Sequence, residues 1–373
     1  MPKFDSVATA VVVDHAELEN LIKRYYKKKL ALFIWGPTGI GKSQTVKKVA
    51  RDLAKELGLE YSESIKDINN PKKFVVIDLR LSQMDPSDLR GIPVWDKETR
   101  STVWLPPNTF PREGQGIIFF DELNLAPPLV QASAYQLILD RRLGEYVVPE
   151  GYSLIAAGNR LEDRANVFEM AAPLKNRFGH CQLNIPRVED WTDWAVRHGI
   201  DMRIIGFLQV RRTALFSFTP NLKENAFATP RAYEHLSKLI KDIPSSDLST
   251  IQKIAATQIG EGLASELVSF IRLKDKLKPI DYYLKNPDKC DLPDEQTEMD
   301  LVWALLTSLA EYYGSKKDTD TIRRIVKVLN RMNEEYAVFT LKLMLTVDQD
   351  FTQKMMRVPE VGKLAKKLVD FFE

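Results

Sequence analysis

The sequence predicts an α/β chain: a five-stranded parallel sheet with helices on both faces, followed by an all-helical C-terminal half. Three observations predict it. Five short apolar runs alternate with helical stretches up to about residue 186. A glycine-rich turn, Gly36-Pro37-Thr38-Gly39-Ile40-Gly41-Lys42-Ser43, joins the first run to the first of those helices. After Pro186 the apolar residues recur at helical spacing throughout.

In chain order, the first segment holds a β-like run, Ala10 to Val13, and a helix from Glu17 for which Asp14 is the N-cap. Lys23, Arg24 and Lys27-Lys28-Lys29, beside Tyr25 and Tyr26, form a short basic cluster. So short a run reads as a solvated helix face rather than a nucleic-acid patch. The apolar runs are Leu30–Trp35, Phe74–Leu79, Ile117–Phe120, Tyr152–Ala157 and Cys181–Ile185. Each is nearly continuous, as befits parallel strands covered on both faces. Gln44–Leu57 and Leu129–Leu139 are the clearest intervening helices. Beyond Pro186, helical spacing marks 189–198, 202–212, 229–240, 248–257 and 259–276. Lys278 to Pro293, polar and carrying Pro279 and Pro287, reads as a linker before four more helices at 298–313, 318–333, 336–345 and 358–372.

Composition bounds the function. The 373 residues are 44% hydrophobic and 28% charged, and the net charge of +2 gives no electrostatic case for nucleic acid or a membrane surface. Two cysteines, Cys181 and Cys290, lack metal-type spacing and suit a reducing compartment without a disulfide framework. No stretch approaches eighteen uninterrupted apolar residues, and the N-terminus lacks a signal-peptide core, so the expectation is a cytoplasmic protein without membrane association.

Gly36 to Ser43 follows the pattern G-x-x-x-x-G-K-[ST] between a strand and a helix, the setting a phosphate loop requires. Its glycines let backbone N–H groups approach an anion, and the new helix adds its positive end. Lys42 then reaches the β- and γ-phosphates of a nucleoside triphosphate, and Ser43 offers its hydroxyl to Mg²⁺. Gln44, the next residue, is counted with the binding set. Ile117-Ile118-Phe119-Phe120-Asp121-Glu122 is a buried strand ending in two carboxylates. Asp121 is assigned to the Mg²⁺ shell and Glu122 to polarising the attacking water. The competing explanation is two exposed acids before a helix start at Asn124 and Pro127-Pro128. Asn159 ends a further strand, where open α/β sheets bind ligands, and can hold the lytic water or the γ-phosphate; a turn asparagine after Gly158 is the alternative.

These residues, with Pro173-Leu174-Lys175-Asn176-Arg177-Phe178 and Thr229-Pro230-Arg231-Ala232, resemble an AAA+ ATPase. The runs Met84-Asp85-Pro86-Ser87-Asp88-Leu89-Arg90-Gly91 and Asp121-Glu122-Leu123-Asn124-Leu125-Ala126-Pro127-Pro128 are similar to its MoxR and dynein-related branch. The likeness spans about residues 28 to 275. It implies a nucleotide-binding domain at 1–186, a helical lid at 187–277, and a linker with a helical extension at 278–373. It implies ATP and Mg²⁺ as cofactors, Asn159 as first sensor, and Arg231 as second sensor on the lid. Arg177 matches the arginine finger that acts on nucleotide held by a neighbouring subunit, which implies a ring, most often hexameric. Arg160, Arg164, Arg141 and Arg142 remain alternatives for that finger. The family hairpin falls at Arg142–Tyr146, and Ser82 to Pro111 is the branch's insert. There Trp95 and Trp104 are expected to pack against the core, with contact to a client as the alternative.

The function expected from the resemblance is remodelling or activation of a client protein, with a von Willebrand factor A domain protein as a family-type partner. The competing expectations are an ATP- or GTP-driven motor on nucleic acid and a nucleotide-gated scaffold. The net charge argues against the first; intact Lys42, Asp121, Glu122 and Arg177 argue against the second.

Overall fold

The computed structural model describes residues 10–160, 168, 170–218, 225–348, 350–362 and 364. The chain divides into two compact units, Met1–Pro186 and Arg187–Glu373.

The strands of the first unit are β1 (Val11–Val13), β2 (Leu32–Trp35), β3 (Glu60–Ser62), β4 (Lys73–Arg80), β5 (Ile92–Asp96), β6 (Ser101–Leu105), β7 (Gln115–Asp121), β8 (Arg142–Leu143), β9 (Tyr146–Val147), β10 (Tyr152–Gly158) and β11 (Gly179–Leu183). Its helices are α1 (His15–Lys28), α2 (Lys42–Glu56), α3 (Pro86–Arg90), α4 (Pro128–Asp140) and α5 (Ala172–Lys175). One parallel sheet runs in the order β1-β11-β2-β10-β7-β4-β3. Its five inner strands are the five apolar runs. The count of five is corrected to seven, because β1 and β3 add an edge on either side. Both are three residues long: Val11–Val13 is the β-like run that precedes the five and buries only Val13, while Glu60-Tyr61-Ser62 buries no side chain and lacks the continuous apolar signal of a covered strand.

Register decides where the site lies. Trp35 at the end of β2 pairs with Gly158 at the end of β10, and Ala156 of β10 pairs with Phe120 of β7. The residues that follow these strands, Gly36, Asn159 and Glu122, therefore emerge side by side at one edge of the sheet, where ligands bind in open α/β folds. The α1 helix opens with a reciprocal capping box between Asp14 and Glu17.

The insert behaves differently from expectation. β5 and β6 form an antiparallel hairpin of their own, and Trp95 and Trp104 are 61% and 40% exposed rather than packed on the core. Pairing sets Pro93 against Trp104 and Ile92 against Leu105, so both faces of the ribbon are apolar and neither is covered. The β8–β9 hairpin occupies the position expected for the family hairpin.

The second unit is helical: α6 (Val188–Arg197), α7 (Met202–Val210), α8 (Pro230–Ile240), α9 (Leu248–Ile259), α10 (Glu261–Arg272), α11 (Ile280–Lys285), α12 (Met299–Lys316), α13 (Thr319–Leu329), α14 (Glu334–Val347) and α15 (Phe351–Met355). One hydrophobic core runs from Val188 to Leu364, shared by residues on both sides of position 277. Lys278 to Pro293 is not a free linker. It carries α11, starting behind Pro279, and buries Tyr283, Leu284 and Cys290 in that core. A buried ion pair, Asp201 with Arg203 at 2.6 Å, is satisfied further by the Ile240 and Ile243 carbonyls, which accept from Arg203. Most of the helix expected at 358–372 falls outside the described residues. No described helix is long and apolar enough to cross a membrane.

Candidate nucleotide site

The glycine-rich turn links β2 to α2. Gly41, the N-cap of α2, has φ +101, a conformation L side chains rarely adopt, and a Cβ there would lie 3.3 Å from His15 Nε2. His15 donates from Nε2 to the Ile40 carbonyl at 2.9 Å, so α1 holds the turn from outside. At the other end, the Gly36 N–H donates to the Gly158 carbonyl at 3.3 Å, fastening the turn to β10.

Lys42 is buried, and its ammonium donates to Gly36 O (2.6 Å), Pro37 O (2.8 Å) and Asn159 Oδ1 (3.3 Å). A cation held by neutral carbonyls inside a loop of backbone N–H groups is well prepared for a phosphate, which offers a charge-assisted partner in their place. Ser43 Oγ donates to Asp121 Oδ2 at 2.9 Å. This hydroxyl and carboxylate are hard oxygen donors of the kind Mg²⁺ takes together with phosphate oxygens and water. Among the described residues no three His, Cys, Asp or Glu side chains gather into a metal site.

Glu122 sits just past β7 with φ +56, an uncommon conformation for a residue with a side chain. Its Oε2 accepts from Ser82 Oγ at 2.5 Å. Ser82 follows β4, the next strand in the sheet, so the adjacent strand orients the carboxylate. Near Asp121, burial pushes the Asp78 carboxyl above its ordinary value; Lys47, at 3.4 Å, opposes the shift and Asp121 adds to it.

Asn159 is held by Asn124, from the turn that follows β7. The buried Asn124 accepts from Asn159 N at 3.1 Å through Oδ1 and donates from Nδ2 to Asn159 O at 2.6 Å. A Cβ on Gly158 would lie 2.3 Å from Asn124 Oδ1, so glycine is required for this approach. The Asn124 position in Asp121-Glu122-Leu123-Asn124 was the only sequence signal for it. Ser82 and His15 gave none, since their contacts cross 40 and 25 residues.

The sequence-predicted residues Lys42, Ser43, Asp121, Glu122 and Asn159 thus stand together at the carboxyl edge of the sheet. Arg177 lies in the same unit, exposed just after α5, and its side chain forms no ion pair or hydrogen bond among the described residues. The segment before it is tied to the phosphate-loop strand: Trp35 Nε1 donates to His180 Nδ1 (3.0 Å), and His180 Nε2 donates to Lys175 O (2.7 Å). Of the alternative arginines, Arg141 is engaged, donating to Pro149 O and Tyr152 O at 2.9 and 2.7 Å. Arg142 is exposed on β8, and Arg160 follows Asn159. Arg164 lies outside the described residues. Arg231, exposed at the start of α8 behind the Thr229 cap, belongs to the second unit.

Residues 31–178 match the sequence model of the AAA domain of the dynein-related subfamily. The chain carries a dynein-related AAA domain. AAA domains are nucleotide-hydrolysing modules at the family level, and the match spans the phosphate loop, Asp121-Glu122, Asn159 and Arg177. No curated protein matches the chain. Among solved structures, the Thermotoga maritima RuvB Holliday junction branch migration motor is 17% identical, covering 73% of this chain and 74% of its own with a TM-score of 0.32. NtrX from Brucella abortus in complex with ATP is 12% identical, covering 100% of this chain and 70% of its own, also at 0.32. Likenesses this distant say nothing about what this AAA domain acts on.

Proposed function

We propose that the chain is an ATP-hydrolysing AAA+ subunit that assembles into a ring, most often a hexamer in the family, and couples hydrolysis to remodelling or activating a client protein. The observation that carries it is the linked cluster at the sheet edge: Lys42 on Asn159, Ser43 on Asp121, and Glu122 on Ser82. Lys42 binds the β- and γ-phosphate oxygens of ATP, with the N–H groups of Gly36 to Ser43 around them. Ser43 and Asp121 would hold Mg²⁺, which supplies charge neutralisation on the phosphates. Glu122 orients the attacking water and takes its proton. Asn159, fixed by Asn124, positions that water or the γ-phosphate. Arg177 of one subunit meets charge on the nucleotide of the next, where a planar guanidinium donates two hydrogen bonds at once, and Arg231 acts as second sensor. The exposed Trp95 and Trp104 hairpin suits a client-contacting element, and a von Willebrand factor A domain protein is the family-type partner.

Two experiments test this. Mixing Arg177→Ala subunits with Lys42→Ala subunits, each inactive, should restore part of the hydrolysis, because one mixed interface keeps an intact loop and an intact finger. No rescue at any ratio removes the shared site. Asn124→Ala deletes both bonds to the Asn159 backbone. Its expected effect is about tenfold slower turnover, the order of one to two lost hydrogen bonds. ATP affinity, measured by calorimetry, should stay within about threefold, since Lys42 still holds the phosphates. Unchanged turnover would mean that Asn159 need not be positioned.

A further inference from the structure

We infer that the second unit carries an anion-binding cleft for a compact oligophosphate, in a different unit from the phosphate loop and independent of the function proposed above. A cleft of about 460 Å³ lies between one face of α13 and the turn that follows α11. That volume falls within the range of small-molecule sites. Five cations line it, Lys285, Lys289, Arg323, Arg324 and Lys327, against two carboxylates, Asp288 and Asp320. With Glu360, which pairs with Arg323 from outside the lining, the cleft keeps an excess of two positive charges, as many as the net +2 of all 373 residues.

The pairing inside the cleft leaves charge available. Arg324 is held by Asp320 at 2.8 Å, and Arg323 by Glu360 at 3.3 Å. Lys285, Lys289 and Lys327 form no ion pair and no side-chain hydrogen bond among the described residues. They reach the cleft from three places: the end of α11, the turn after it, and the second half of α13. Like charges lining one cleft repel one another, so an anion that bridges them gains Coulomb energy as well as hydrogen bonds.

The wall is built before any ligand arrives. Arg331 donates to Pro287 O at 2.8 Å, the N–H groups of Lys289 and Cys290 both donate to Asn286 O at 3.0 Å, and Leu284 and Cys290 are buried in the core. A pre-ordered turn spares binding the cost of fixing it.

Chemistry selects the ligand class. Arginine forks and lysine ammoniums both bind phosphate oxygens. Among the described residues no aromatic side chain lines the cleft, so they offer no base-stacking platform of the kind used for single strands. The surrounding elements are helices, which offer an extended peptide no strand edge to pair with. A short, densely charged phosphate chain fits these features best.

The test is calorimetric titration of inorganic tripolyphosphate into the full chain at low salt, alongside Lys42→Ala and the double variant Lys285→Glu/Lys327→Glu. Lys42→Ala should retain one tripolyphosphate site, and the double variant should lose that site by about tenfold or more, as should raising the salt. The milder Lys285→Gln/Lys327→Gln should fall between, with thermal melting confirming that both variants fold. ATP titrated into Lys42→Ala separates the sources: binding as tight as tripolyphosphate points to a nucleotide's phosphate chain, weaker binding to a free oligophosphate. Loss of all binding in Lys42→Ala, or wild-type binding in the glutamate variant, would overturn the cleft. So would an oligonucleotide or an acidic peptide that binds there when tripolyphosphate does not.

Discussion

Lys42→Ala should abolish ATP binding at the glycine-rich turn, removing the tight component of the titration, while leaving the sheet intact. The side chain is buried, and its ammonium is satisfied by two loop carbonyls and Asn159 Oδ1. In the proposed nucleotide complex those bonds would be exchanged for contacts to two phosphate groups. A hydrogen bond to a charged partner contributes about 1.5–3 kcal/mol, so losing two corresponds to roughly 10²–10⁴-fold weaker binding. Alanine also leaves the Gly36 and Pro37 carbonyls without their donor, so the loop itself loses order. Helix α2 should persist, because Val46, Val49 and Leu53 bury its apolar face independently of position 42. The measurement is calorimetric titration with ATP, with circular dichroism and melting as the folding control. Affinity near the wild-type value in a folded variant would show that Gly36 to Ser43 is not the nucleotide site.

How much of this could be seen in the sequence depended on whether the signal was local. The five inner strands were visible because a strand covered on both faces is apolar without interruption, as Phe33-Ile34 and Ile117-Ile118-Phe119-Phe120 are. The edge strand Glu60-Tyr61-Ser62 was missed for the converse reason, since it gains backbone pairing with β4 but no burial, and Val11–Val13, though apolar, is too short to show that it joins the sheet. The glycine-rich turn from Gly36 to Ser43 could be read residue by residue as a phosphate-loop pattern, since spacing along the chain is that pattern's signature. The residues that orient the site could not. Asn124 reaches Asn159 across 35 positions and Ser82 reaches Glu122 across 40, and spacing along one sequence does not show which residue such a side chain will meet. Trp95 and Trp104 were expected to pack the insert against the core, with contact to a client as the alternative, and they are exposed. The hairpin carries apolar side chains on both faces, so no polar face marked it as exposed. The segment from Lys278 to Pro293 looked like a linker because of its prolines, yet Pro279 precedes α11 and Pro287 follows it, framing the helix rather than breaking it.

Glu122→Gln should bind ATP and fail to turn it over. Glutamine keeps the size of the side chain and an oxygen that accepts from Ser82 Oγ, so the contact to the end of β4 survives. What it loses is the capacity to take a proton from water. General-base contributions are typically 10²–10⁴-fold in rate, and that is the expected fall in turnover. The backbone supports giving Glu122 this role. At φ +56 the residue occupies a region that costs a side chain on the order of 1–2 kcal/mol, and its neighbours hold it there. Asp121 Oδ1 accepts from the Glu122 N–H at 3.0 Å, and the Leu125 N–H donates to the Glu122 carbonyl at 2.9 Å. That turn separates the two adjacent carboxylates, sending Asp121 to Ser43 and Glu122 to Ser82. Because glutamine has the same backbone preferences as glutamate, the strain is unchanged, and a drop in rate reports the lost carboxylate rather than a distorted turn. Single-turnover hydrolysis and nucleotide retention on a filter are the measurements. Turnover within about threefold of wild type would remove Glu122 as the base. Slow turnover together with lost ATP binding would instead make it part of the binding site.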